Sequence, residues 1–135
     1  AFDKLDQFKL FVFDTGLLKH MAGIDNGAIL LRSDFQFKGP LTENYVLQQF
    51  HGLLDTEPRY YAGKNSEIDF IVQNGSEIIP IEVKAGEENS ALSFKRFVKE
   101  KQPRNAVRFS KLGYLKNGEI TNILLYLARK ILELI

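Results

Sequence analysis

The chain has 135 residues, of which 44% are apolar and 26% charged, with no cysteine and a formal net charge of +1. This is enough for one domain with a real core, and it excludes a disordered chain, a disulfide framework and a thiolate metal site. The longest apolar runs, such as ILLYLA from Ile123, fall far short of the roughly 20 residues of a membrane span. No membrane anchor or signal peptide is therefore expected, and a cytoplasmic location fits.

In chain order, FKLFVFD from Phe8 to Asp14 reads as a short apolar strand. Asp14 or Thr15 can then cap a helix through Leu17, Leu18 and Met21, followed by a loop at Ala22–Ala28. Pro40 at a first helical position and Gly52 past the end bracket a helix over Pro40–His51. At 100° per residue, Glu43 shares a side with Val46, Leu47 and Phe50, so an acid points toward the core. PRYYA, ending at Ala62, reads as a strand, with a turn at Gly63, Lys64 and Asn65. A hairpin over Ser66–Gly86 comes next. Ser90 is the expected cap of a helix that ends before Pro103. Strands are expected at Asn105–Ser110 and on both sides of Asn117-Gly118, and Leu124, Leu127, Ile131 and Leu134 have the spacing of a closing amphipathic helix. The pattern is mixed α/β, a β-sheet flanked by helices.

Charge is unevenly spread. From Glu87 onward there are ten Lys or Arg and five acids; before it there are eight and twelve. Lys95, Arg96, Lys99, Lys101, Arg104 and Arg108 could present a basic face to phosphates, although a solvated helix face followed by a basic loop accounts for them equally simply. His20 and His51 have no partner at metal-ligand spacing, and Tyr60 and Tyr61 read as strand packing rather than a base-stacking platform.

The hairpin carries an anomaly, because Asp69, Glu82 and Lys84 fall among apolar positions of strongly β-forming segments. Glu82 and Lys84 share one face by alternation. A two-residue Asn74-Gly75 loop sets Asp69 opposite Pro80; a four-residue loop pairs it with Glu82. Both put it on the Glu82 face, whereas an unbulged three-residue loop would not. Adjacent carboxylates cost roughly 0.2–1 kcal/mol in a sheet unless a cation lies between them. A hard ion such as Mg²⁺ takes one or two carboxylates plus water and phosphate oxygens, and Lys84 would reach the same place. Taken alone, Glu-x-Lys on a strand is ordinarily a surface ion pair.

Asp69 followed by IEVK with Glu82 and Lys84 resembles the signature of the PD-(D/E)XK nuclease superfamily. The element order agrees with its restriction-endonuclease-like core of a helix, three strands, a helix and a strand. KLFVFDTGLL, GPLTENYVLQQF and SEIDFIV with IEVKAG are similar, over nearly the whole chain, to a nuclease-like domain found C-terminal to the AAA-type P-loop ATPase domain of bacterial and archaeal ATPases. The resemblance implies Mg²⁺ or Mn²⁺ at Asp69, Glu82, the Val83 carbonyl and Glu43, a catalytic set of Lys84, Glu82, Asp69 and Glu43, and contacts of Lys95, Arg96 and Lys99 with DNA or RNA. Residues 38–135 would be the core of a single domain, and residues 1–37 a connecting segment from an ATPase domain, an oligomer being compatible with that arrangement. No G-x-x-x-x-G-K-[ST] occurs, Pro58 standing where the leading glycine belongs, so this chain has no ATP site of its own. LFVFD is an apolar strand ending in an acid, not a Walker B motif. The implied activity is metal-dependent phosphodiester hydrolysis; the alternative is a catalytically silent nucleic-acid- or protein-binding regulatory module beside an ATPase.

Overall fold

A computed structural model describes residues 8–30, 37–63, 67–86 and 92–135. Helices α1 (Thr15–Met21), α2 (Asn26–Leu30) and α3 (Lys38–Phe50) precede strands β1 (Arg59–Ala62), β2 (Glu67–Asn74) and β3 (Glu77–Val83). Helix α4 (Leu92–Lys101) leads to β4 (Ala106–Ser110), β5 (Leu115–Asn117) and β6 (Ile120–Leu124). A 3₁₀ segment (Leu125–Lys130) and α5 (Ile131–Leu134) close the chain. The six strands form one mixed sheet in the order β1-β2-β3-β4-β6-β5. The β3/β4 and β4/β6 pairs are parallel, and the others are antiparallel. The expected mixed α/β class and the order helix, three strands, helix, strand are both present. Among the described residues no helix is long and apolar enough to cross a membrane.

Alternation along the strands builds two cores. Phe70, Val72, Ile79, Ile81, Val83, Val107, Phe109 and Ile123 pack with Val46 and Phe50 of α3 and with Ala128 and Ile131 of the C-terminal segment. Ile68 and Ala106 pack with Phe94 and Val98 of α4. Helices α3 and α4 thus cover opposite faces, and Val83 is buried as the hairpin pattern requires.

Ile68 exposes an irregularity. It has the same parity as Phe70 and Val72, yet it joins the α4 core. The cause is a bulge: Arg59 pairs with Ile71 and Tyr61 with Ile68, so β2 advances three residues while β1 advances two. The extra residue falls at Asp69-Phe70. Such an insertion breaks the ladder and re-aims a side chain, and periodicity alone does not reveal it.

Several boundaries differ from those expected. In both hairpins the Asn is the last strand residue and Gly is the first residue of a two-residue loop: Asn74 pairs with Glu77, and Asn117 with Ile120. Gly75 and Gly118 take φ of 58° and 62°, and a loop with Gly first matches a type II′ rather than an Asn-Gly type I′ turn. Pro40 is the third residue of α3, which begins at Lys38 with Phe37 as its cap. Asn26–Leu30 is helical where a loop was expected. Leu124 ends β6, and most of the closing segment is 3₁₀ rather than one amphipathic α-helix. The Lys64-Asn65 turn and the Ser90 cap lie outside the described residues.

Phe8–Asp14 is not a strand. It runs as irregular chain beside α3 and is held there by side chains. The Val12 N–H donates to Asn44 Oδ1 at 2.8 Å. Asn44 Nδ2 donates to Thr15 Oγ1, which in turn donates to Gln48 Oε1. Phe11 sets its ring 5.6 Å from that of Phe70. Asp14 does cap α1, accepting the Leu17 N–H at 2.7 Å. A segment whose peptide groups are bonded by side chains needs no sheet neighbour, which is why apolar composition alone misassigns it.

Asn44 is buried and serves two partners, so truncation leaves the Val12 N–H and the Thr15 hydroxyl short of bonds. Asn44→Ala should cost about 1–3 kcal/mol in urea denaturation and should speed proteolysis within Phe8–Asp14 relative to the sheet. Unchanged stability would show that the segment is held by other means.

Candidate functional site

Four acids and two lysines gather where β2 and β3 meet α3 and the N-terminal segment. The β2/β3 ladder runs from Asn74–Glu77 to Phe70–Ile81, a register that, continued by one step, sets Asp69 opposite Glu82. This is the closer of the two registers that the sequence left open. At that point the ladder changes character. Lys84 N–H donates to Phe109 O on the β4 side, so by alternation the Val83 N–H faces β2, where it donates to the Asp69 carboxylate, Oδ2, at 2.7 Å. The bulge has placed a side-chain oxygen where a peptide carbonyl would otherwise stand.

Glu82, only 4% exposed, holds Lys84 Nζ at 2.6 Å from its Oε1. The Glu-x-Lys of this chain is therefore largely withdrawn from water on its acidic side, unlike the usual surface pair. The second ammonium is Lys9. Its Nζ lies 3.0 Å from Glu67, 3.5 Å from Glu43 and 3.9 Å from Asp69, and 5.6 Å from the centre of the Tyr60 ring. Glu43 projects from α3 toward this group, as its place on the helix wheel implies. Glu67, the most exposed of the acids, is Lys9's nearest partner.

The electrostatics follow from burial. Removal from water raises the proton affinity of Glu43, Asp69 and Glu82 above their ordinary values, because it penalises the charged form. The charge of Asp69 pushes both Glu43 and Glu82 further up, while Lys9 and Lys84 pull in the other direction without cancelling the rise. For Lys9, burial alone would lower the pKa, but Glu67, Glu43 and Asp69 outweigh it and hold the ammonium charged. Among the described residues, four carboxylates against two contacting ammoniums leave a formal balance of −2.

That balance and the hard oxygen donors suit a divalent cation held by Asp69 and Glu82, a number of carboxylates ordinary for Mg²⁺. A larger ligand set is not formed: among the described residues no group of three or more His, Cys, Asp or Glu is arranged to hold a metal ion. Glu43 lies in the cluster through Lys9, and Val83 enters it through its N–H, on the same residue as the carbonyl that the resemblance implies as a ligand.

Lys95, Arg96 and Lys99 are exposed on α4, which covers the sheet face opposite α3, so the fold does not bring them together with Glu43. Arg108 leaves the basic group to bond Asn122 on β6. Tyr61 packs on Phe97, and His51 on Phe13, as structural aromatics. Sequence reasoning missed Lys9. The available signal was a lysine inside the apolar run Phe8–Phe13, the same kind of anomaly that drew attention to Asp69.

An acid with higher proton affinity in the folded chain keeps its proton to higher pH there than in the unfolded chain. The folded state then binds more protons, and stability falls as pH rises from the ordinary value of 4.5 for glutamate through the raised folded value. Glu82→Gln should flatten this fall in urea denaturation series run across that window. An identical pH slope in the variant would contradict the assignment of a charged, buried Glu82.

No curated protein and no solved structure matches the chain. A family model, described as a domain of unknown function (DUF4143), matches residues 38–126. The match begins with α3 and runs through all six strands and α4, and so takes in the elements that carry Glu43, Asp69, Glu82 and Lys84 while leaving Lys9 outside. Extending over well more than half of the chain, it shows that this protein belongs to the DUF4143 family.

Proposed function

We propose that the Asp69–Glu82–Lys84 group is a metal-dependent phosphodiesterase site, in keeping with the resemblance of IDFIV and IEVK to the PD-(D/E)XK signature. The observation that carries the reading is the buried Glu82 paired with Lys84 beside Asp69, with more carboxylates than ammoniums in the cluster among the described residues. Asp69 and Glu82 would hold Mg²⁺ or Mn²⁺. When bound, such an ion supplies positive charge against the charge that develops on phosphorus-bound oxygens. Lys84 would donate a hydrogen bond to a non-bridging phosphate oxygen, an interaction that strengthens as the transition state forms. Glu43, whose proton affinity burial raises, suits acceptance of the proton given up by the attacking water. Water adds across one P–O ester bond, giving a phosphomonoester and an alcohol. DNA and RNA are the substrate classes this chemistry fits, and an adjoining ATPase domain is the partner the resemblance suggests.

A second reading, that of a binding module without hydrolysis beside an ATPase, is favoured by one observation: Lys9 already lies against three of the acids. The two readings separate on labelled single- and double-stranded DNA and RNA with Mg²⁺, Mn²⁺ or EDTA. The phosphodiesterase reading expects cleavage that EDTA abolishes and that Lys84→Ala lowers by about 10²-fold or more with fold intact. If no substrate is cut with either ion, while gel shifts still detect binding, the module replaces the enzyme.

A further inference from the structure

Lys9 has a different standing from the rest of the site. It lies on the irregular N-terminal segment, outside the matched family region, yet it touches Glu43, Glu67 and Asp69, which come from α3 and β2. Among the described residues its anchors lie on the C-terminal side. Phe11 packs against Phe70, and the Val12 N–H bonds Asn44, but Phe8 is 73% and Leu10 86% exposed. Lys9 therefore reaches into the acids from a short arm, residues 8–10, that precedes these two anchors. Residues 8–10 belong to no helix or strand, so the arm can leave while the Phe11 and Val12 anchors stay in place.

We propose that Lys9 is an internal cation competing with a divalent metal for the acid cluster, so that the position of the Phe8–Leu10 arm sets the metal affinity of the site. This rests on the reading of Asp69 and Glu82 as metal-binding. An ammonium 3.9 Å from Asp69 compensates part of the charge that attracts the ion and repels the ion itself at short range. The arm-in state is consequently the low-affinity state. A dication bound at Asp69 and Glu82 weakens the seat of Lys9, and withdrawal of Lys9 strengthens the seat of the dication, because the two effects are one coupling free energy. Lys84 stays with the site in both states, since it follows β3 directly and is paired with Glu82 two residues before it.

The test is calorimetric titration of the chain with Mn²⁺ alone. Lys9→Met, which keeps an unbranched apolar stem and removes the charge, should bind Mn²⁺ at least about tenfold more tightly than the wild type. Lys9→Arg should retain the weaker wild-type affinity, which separates a role in charge from one in packing. Adding Glu82→Ala to Lys9→Met should abolish the gain and so locate it. Equal affinities for the wild type and Lys9→Met, with Glu82→Ala still abolishing binding, would overturn the competition and leave the metal site standing. An absence of binding in every variant, each folded by circular dichroism, would overturn both.

Discussion

A carboxylate bonds the Val83 N–H where β2 would ordinarily offer a peptide carbonyl, and the rest of the site depends on that substitution. The bulge at Asp69-Phe70 makes room for it, because one extra residue in β2 lets the backbone swing out while the side chain fills the gap. Three consequences are tied together. Ile68 is sent to the α4 core while Phe70 and Val72 stay in the α3 core. The ladder ends without an orphaned donor at a place too buried for water to serve it freely. A negative charge is fixed beside Glu82, which is itself buried. An ordinary ladder would have no reason to hold two acids there.

The balance of forces at this point is unusual for a structural ion pair. Burying Glu82 costs solvation, and Lys84 at 2.6 Å offsets only part of it, since the carboxylate's proton affinity remains raised. Buried pairs of this kind are weak evidence for stability, because well-packed apolar residues of the same volume commonly do as well or better. The apolar residues are already present on both sides of Glu82, at Ile81 and Val83. A chain built for stability alone would continue that pattern, and the buried charge is what the proposed metal site would use.

Much of this was legible in the sequence. The element order, the two-faced sheet and the burial of Val83 follow from period-2 alternation and turn residues, both of which act locally. The proximity of Asp69, Glu82 and Lys84 also follows, since a hairpin brings near what it separates by little sequence. What was not legible depends on groups distant in the chain. Phe8–Asp14 has the composition of a strand but finds its bonds on Asn44 and Gln48, more than thirty residues away. The Asn-Gly pairs mark both turns correctly, yet the loops shift by one residue so that Asn stays in the ladder. Glu43 was visible because helix periodicity places it. Lys9 was not, because nothing local says what an irregular segment packs against.

Lys9 also changes what the family region means. Residues 38–126 contain the acids and Lys84, and by themselves they would carry three ammonium contacts fewer at Glu43, Glu67 and Asp69. Without the arm, Glu43 and Asp69 would lose the positive charge that restrains their rise in proton affinity. The site would then take up a proton more readily, and on the proposed reading a metal ion as well, since both relieve the same excess of negative charge. The N-terminal segment is thus part of the electrostatics of the site although it contributes no strand to the sheet. It is attached through Phe11 and Asn44, exposes Phe8 and Leu10 and belongs to no helix or strand, so withdrawal of Lys9 would unfold neither.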